Sequence, residues 1–345
     1  MCSLRTHLLA GQVIPAHPLA LTSNRRLDER HQRALTRYYL AAGAGGIAVG
    51  VHTTQFEIRD PAYNLFEPVL ALAAETVAAD LSVRPRPFAK IAGVLGRRRQ
   101  AVREAELAAR LGYDAVLLSL AAWPDDSDGA MLEHCREVAG VLPLFGFYLQ
   151  PAVGGRVLSY GFWRGLADIP GVIAIKIAPF NRYQTLDVVR AVSDAGRDDI
   201  ALYTGNDDHI VHDLLSRPRF GGRERRIVGG LLGQWAVWTR TAVAMLASLH
   251  RLAPETPIDP AWLRTAAALT DANAALFDAA HGFRGCLPGI HEVLRRQGLL
   301  AGRWCLDPGL ELSPGQLAEI DRVLAAYPDL ADDAFVAEHR EEWLG

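Results

Sequence analysis

The sequence is poor in cysteine. Its four (Cys2, Cys135, Cys286 and Cys305) are scattered through 345 residues and form no Cys-x-x-Cys pair. That pattern excludes a disulfide framework and fits free thiols in a reducing compartment. It also lacks a basic excess: 36 Lys and Arg stand against 39 Asp and Glu, a net charge of −3, which argues against a dedicated nucleic-acid binder. No long apolar run is present. The most membrane-like stretch, Trp235 to Leu249, contains Arg240 and is too short to span a bilayer. Arg5 and His7 precede only a brief apolar stretch, which makes a poor signal peptide. A cytoplasmic protein without nucleic-acid or membrane partners is expected.

Signatures of bound groups are missing as well. There is no Gly-Lys-Ser/Thr phosphate loop, and Gly43-Ala-Gly-Gly46 lacks the third glycine of a dinucleotide loop. His17, His52 and His209 fall near strand ends but show neither His-x-His nor His-Glu-x-x-His spacing. The expectation is no metal and no cofactor. Arg97-Arg-Arg99 reads as a solvated loop and helix start, and Trp235 and Trp238 as packing of a helix rather than a cage.

What is present is alternation. Strand-length apolar runs occur at Val13–Ala16, Gly46–Val51, Phe88–Val94, Ala115–Ser119, Leu142–Leu149, Val172–Ile177, Ile200–Thr204 and Ile227–Leu231. Helix-length amphipathic runs lie between them, near 28–43, 67–80, 98–111, 129–139, 159–168, 184–195, 207–216 and 234–248. Ala101, Ala105, Ala108 and Leu111 recur at three- and four-residue spacing, as one buried helix face requires. Several strands are almost continuously apolar, as strands covered on both faces are. Eight such units in about 250 residues predict an α/β fold, a (β/α)8 TIM barrel over residues 1–250. An open doubly wound sheet is the alternative that periodicity leaves standing. Pro254, Pro257 and Pro260 then mark a junction, and residues 251–345 read as a C-terminal helical extension. Its helices fall near 260–280, 287–298, 313–326 and 333–342, with Ser313-Pro314 as an N-cap and first-turn proline. The Gly- and Arg-rich stretch 217–226 reads as a surface loop.

Lys176 stands out within Gly171-Val-Ile-Ala-Ile-Lys-Ile-Ala178. An ammonium in such a run is costly to desolvate, and burial favours the neutral amine, a nucleophile toward carbonyl carbon. The competing reading is a lysine paired with a carboxylate or reaching water at a strand end. Tyr148 ends the preceding strand, so both side chains can sit toward the carboxyl ends, where barrel chemistry takes place. A phenol there could move protons; it could equally be packed with its hydroxyl satisfied. Thr53 and Thr54 follow the second strand and could bind a carboxylate, or simply end the strand. Gly205-Asn-Asp-Asp208 follows the seventh strand, and Gly229-Gly230 lies in or after the eighth. Such glycines permit close approach of a ligand, or ordinary turns with Asp207 capping the next helix.

Taken in order, these segments resemble the dihydrodipicolinate synthase/N-acetylneuraminate lyase family of class I aldolases. Val13-Ile-Pro-Ala16 with Asp28, Ala92-Gly93 and Gly112-Tyr-Asp-Ala-Val116 are similar to its early strands and loops. Tyr148-Leu-Gln-Pro151 resembles Tyr-Asn-x-Pro, and Gly171-Val-Ile-Ala-Ile-Lys176 resembles Gly-Ile-x-Gly-x-Lys. Gly205-Asn-Asp-Asp208 resembles Gly-Asp-Asp, and Gly289-Ile-His-Glu-Val-Leu294 a piece of the C-terminal helices. The resemblance implies a lyase in which Lys176 forms an imine with a pyruvate-type 2-keto acid. Tyr148 and Thr54 would serve proton transfer, and Thr53, Thr54, Gly205 and Gly229 substrate binding. It also implies an aldehyde-type second substrate and a homodimer or homotetramer.

Departures from the family pattern are equally legible. Gly-Thr-Thr-Gly-Glu reads His52-Thr-Thr-Gln-Phe56, and Pro-Tyr-Tyr reads Ala121-Ala-Trp123, which loses a tyrosine that completes a relay across a dimer interface. Val153 stands where the synthases carry an arginine for a dicarboxylic substrate. These changes argue against dihydrodipicolinate synthase activity proper. They leave open a hydratase-aldolase, or a barrel that binds a ligand without standard turnover. A metal-dependent barrel enzyme is a third possibility.

Overall fold

A computed structural model describes residues 3–253 and 255–345, so Cys2 and Pro254 lie outside the described residues. The strands form where the apolar runs predict them: β1 (Val13–Pro15), β2 (Gly46–Val49), β3 (Ala89–Val94), β4 (Ala115–Leu118), β5 (Leu144–Leu149), β6 (Val172–Ala178), β7 (Ala201–Thr204) and β8 (Ile227–Leu232). Almost every residue in them is buried, as two covered faces require. One eight-stranded sheet runs in the order β1-β8-β7-β6-β5-β4-β3-β2. Its β1 end meets the flanking strands through Ala16 N–H to Leu232 O (3.1 Å) and His17 N–H to Ala48 O (2.8 Å). This is the (β/α)8 barrel, not the open doubly wound sheet, whose outer strands would have no such partner.

The intervening helices are α2 (Glu29–Ala42), α3 (Phe66–Val83), α4 (Arg98–Arg110), α5 (Asp128–Ala139), α6 (Tyr160–Ala167), α7 (Arg182–Asp194), α8 (Ile210–Leu215) and α9 (Thr239–His250). Their ends follow capping chemistry. Asp28 accepts from His31 N–H to open α2, and Gly43, at φ 92°, closes it. Ser127, Ser159 and Asn181 cap α5, α6 and α7. Arg97 and Arg98 form a solvated helix start, as expected, and make surface ion pairs there: Arg97 with Asp126, and Arg98 with Glu133 and Glu137 of α5. Four more helices follow: α10 (Ala261–Leu276), α11 (Cys286–Arg296), α12 (Gln316–Ala326) and α13 (Asp333–Leu344).

Several expectations need correction. Ser313 does not cap α12. Its hydroxyl donates to Asp278, and the helix starts behind Gly315, whose φ of 85° suits only glycine without strain. Asp207 does not cap α8 either, since that helix begins after His209 with no side-chain cap. The stretch 217–226 is not plain loop: Arg219–Phe220 pairs antiparallel with Arg223–Glu224. A short helix α1 (Leu4–Leu9), capped by Ser3, was not signalled by periodicity because six residues are too few to display it.

By internal packing the chain divides into two compact units, one comprising residues up to Gln12 with Pro87–Leu231, the other Val13–Arg86 with Leu232–Gly345. In chain order, residue 250 falls inside the second unit. Lys176, Tyr148, Gly205 and Gly229 belong to the first unit, Thr53 and Thr54 to the second.

Candidate active site

Lys176 is the fifth residue of β6, in parallel pairing with Phe147 of β5 and Tyr203 of β7. Paired residues on neighbouring strands point to the same face, and successive residues to opposite faces. Phe147 therefore shares the face of Lys176, and the Nζ atom lies 4.6 Å from the centre of its ring. Phe145 and Tyr203 continue this face, their rings edge-to-face at 5.3 Å. Burial pushes the Lys176 amine down from 10.5 to about 8, and the Asp207 carboxylate pulls the other way. The neutral form, the one that attacks a carbonyl, is therefore far more populated near neutral pH than in an ordinary lysine.

Tyr148 is not brought together with Lys176. It pairs with Ile177 and occupies the opposite face of β5. Its ring packs on Trp163 of α6 at 5.0 Å. Its hydroxyl accepts from Leu158 N–H (3.2 Å) and donates to Leu158 O (3.4 Å). The cause is one extra residue in β6. Leu144 pairs with Val172, and that register, continued, would set Tyr148 opposite Lys176. The register shifts between Leu144 and Phe145, which pairs with Ala174, and from there on Phe147 meets the lysine. A one-residue slip turns a strand's side chains to the other face.

The two glycines make room for protein atoms. A β-carbon on Gly205 would stand 2.7 Å from Lys176 Cε and 2.8 Å from Ala178 Cβ, so glycine lets the end of β7 lie against the lysine stem. One on Gly229 would stand 2.5 Å from Gln12 O and 2.9 Å from the Tyr203 ring. At both positions the missing side chain is what lets these protein atoms lie so close.

Beyond Gly205 the loop is anchored from behind. Asn206 is buried; its Oδ1 accepts from Phe180 N–H (3.0 Å), and its Nδ2 donates to Asp213 (2.8 Å). Asp213, also buried, further accepts from the Thr204 hydroxyl (2.7 Å), and His209 Nδ1 lies 2.9 Å from its other oxygen. His209 is thus engaged with a carboxylate, and its ring stacks on that of His212 (4.6 Å). His17 is wholly buried between Thr36, Gln32 and Pro18 O, and burial lowers it to about 4, which keeps it neutral.

In the second unit, Thr53 and Thr54 lie in a 3-10 turn, His52–Thr54. The Thr54 hydroxyl accepts from Gly50 N–H (3.0 Å) and donates to His17 O (2.7 Å); that of Thr53 donates to His17 O at 3.3 Å. Both hydroxyl protons are spent on one main-chain carbonyl. Gln55 follows at φ 66°, a conformation that favours glycine, where the family resemblance places one. It is buried, its Oε1 accepts from Leu306 N–H (2.6 Å), and its Nε2 has no hydrogen-bond partner among the described residues.

No family model matches the chain. It is 28% identical over 210 residues, 59% of its length, to the N-acetylneuraminate lyase of Citrobacter koseri, and 26% identical over 200 residues to a 4-hydroxy-tetrahydrodipicolinate synthase of Bifidobacterium longum. It spans 65% and 60% of the length of those two relatives. Among solved structures it resembles the dihydrodipicolinate synthase of Cyanidioschyzon merolae with lysine bound (TM-score 0.74, 20% identity, 93% of this chain and 99% of that one). A second is a prophage protein of the dihydrodipicolinic acid synthase family from E. coli K12 in complex with pyruvate (TM-score 0.73, 18% identity, 92% of this chain and 98% of that one). The chain is thus similar in sequence to enzymes of the dihydrodipicolinate synthase/N-acetylneuraminate lyase family and shares the fold of their solved structures.

Set beside these relatives, the position of Trp123 is informative. The indole is buried, donates to Gly96 O (3.2 Å), stacks on His134 (4.7 Å) and carries the Arg97 guanidinium on its face (4.5 Å). It is built into its own unit. Sequence reasoning missed Phe147 as the lysine's neighbour and Asp207 as the charge acting on it. Alternation counted back from Lys176 and Tyr148 could not find Phe147 without the β5–β6 register.

Proposed function

We propose that this protein is a class I, Schiff-base-forming aldolase or lyase acting on a 2-keto acid, with Lys176 as the imine-forming amine. The observation that carries the reading is a lysine on an otherwise apolar barrel strand, its amine lowered to about 8 by burial. The neutral amine attacks the carbonyl carbon, and loss of water leaves an iminium. That cation draws electrons from the adjacent carbon, so a C–C or C–H bond there can be made or broken. The Phe147 ring face lies where it can stabilise the positive charge of ammonium or iminium by about 0.5–2 kcal/mol.

Borohydride reduction with pyruvate, followed by peptide mass spectrometry, tests this. A reduced adduct is expected on Lys176 in the parent and none in Lys176→Ala. No adduct across a panel of 2-keto acids overturns the reading. The initial trapping rate should rise with pH through about 8, because the neutral amine is the reactive form. The replacement of a phenol by Phe147 on the lysine's face favours a second reading, a binder without turnover. Tight 2-keto acid binding that survives Lys176→Ala, with no trapped adduct in the parent, would establish it.

A further inference from the structure

Imine formation fixes where a substrate must lie. It holds the former carbonyl carbon about 1.3 Å from Nζ, the length of a C–N bond with double-bond character, and so within about 6 Å of the Phe147 ring centre. The surroundings of Lys176 on its own face therefore meet the groups that this carbon carries, a carboxylate and a carbon chain. Level with the lysine stand Phe147 and Tyr203. One step toward the carboxyl ends stand Leu149 of β5, Ala178 of β6 and Gly205 of β7. Leu149 pairs with Ala178, and Gly205 lies against the Ala178 side chain and the lysine stem. The polar groups of this wall are spent. The Tyr203 hydroxyl donates to Leu8 O (2.8 Å) and accepts from Gln12 N–H (3.1 Å), and Gly205 N–H donates to Ile177 O (2.8 Å). Exposure singles out one residue more. Along β5 every residue is buried except Leu149, along β6 every residue except Lys176, and along β7 all are. The two half-buried side chains share a face, one register step apart, so a molecule that reaches the amine along this wall meets Leu149 first.

We infer that Phe147 and Leu149 form an apolar subsite for the carbon chain of the substrate, so that the protein takes monocarboxylic 2-keto acids with a branched alkyl or aryl chain in preference to dicarboxylic ones. The inference rests on the imine reading above and names the substrate class of that site. A carboxylate set against this wall loses its hydration with nothing to replace it, whereas a hydrocarbon chain gains by leaving water. The charge that acts on the amine is itself a carboxylate, that of Asp207, and repels a second one. Leu149 is the specificity residue, because it is the apolar side chain of the wall that a ligand can still cover.

The test is competitive borohydride trapping with the full-length protein, with 4-methyl-2-oxopentanoate and 2-oxoglutarate in equal amounts. Each acid condenses with the amine and releases one water, borohydride delivers hydride to the imine carbon, and the two adducts on Lys176 differ in mass. A lysine peptide trapped in parallel gives the ratio set by reactivity alone. The protein should exceed that ratio by roughly 10–200-fold in favour of the branched acid, the worth of hydrocarbon contact in an apolar pocket. Leu149→Ala should lower the preference, and Leu149→Arg, which sets a cation beside the chain, should reverse it. The alanine variant keeps the test open should the arginine variant not fold. A ratio no higher than that of the peptide overturns this inference and leaves the imine reading standing, as does an adduct with pyruvate and with neither larger acid. A preference that no Leu149 variant shifts overturns it as well. No adduct with any of the three acids overturns this inference and the imine reading together.

Discussion

Lys176 shows how much one side chain can owe to its surroundings. Its sequence context forecasts a lowered amine, and burial among β5, β6 and β7 lowers it to about 8 against the pull of Asp207. Tyr148 shows the opposite. The same residue type and spacing that suggest a proton shuttle end in a hydroxyl bonded to Leu158 and a ring packed on Trp163. Tyr148→Phe should therefore lower stability by about 0.5–1.5 kcal/mol, the net worth of a buried hydrogen bond, and leave borohydride trapping at Lys176 in place. A shifted denaturant midpoint with an intact adduct is the expected pair of results; loss of the adduct in this variant would return the phenol to the chemistry. The lysine itself was legible because a lone charge in a seven-residue apolar strand is conspicuous. Its aromatic neighbour was not, because two adjacent aromatics, Phe147 and Tyr148, compete for the inward position.

At the scale of elements, the order and type of helices and strands were readable from apolar periodicity, and the ends from capping residues such as Asp28, Ser127 and Asn181. Where readings failed, a tertiary partner had claimed the side chain, as Asp278 claims Ser313. Helix α11 carries a test of its own. Glu292 is buried; burial opposes its ionisation, but hydrogen bonds from Arg295, Arg296 and Arg303 outweigh this and lower it to about 2. The folded state thus holds the carboxylate more readily than the unfolded chain does. The resulting stabilisation is present above about pH 4.5 and is lost as pH falls from there toward 2. Glu292→Gln should cost about 1.5–3 kcal/mol at neutral pH, the range for hydrogen bonds to a charged group. Its penalty should shrink in acid, as urea titrations at pH 7 and pH 3 would reveal; an equal penalty at both would refute the assignment.

At the scale of the molecule, stability among the described residues rests on apolar burial rather than covalent staples. Cys135, Cys286 and Cys305 are free thiols, and burial pushes Cys135 and Cys305 up to about 12, far from reactive thiolates. Thermal unfolding should then give the same midpoint with and without a reductant. A midpoint lowered by reductant would mean that a disulfide forms in solution. Among the described residues no helix is long and apolar enough to cross a membrane.

By itself the amino-acid sequence determined the alternation of eight strands with helices, the helices that follow, and the presence of one amine in a greasy strand. Each is a local property, written in periodicity and composition over a few turns. Only the tertiary structure decided which aromatic ring meets that amine. The facing of a β-strand depends on its register with the next strand, and one extra residue in β6 moves Phe147 into the place that an unbroken register would give to Tyr148. The end of β7 was decided in the same way: Gly205 acquires its meaning from what lies across the strand pair, not from its neighbours in the chain.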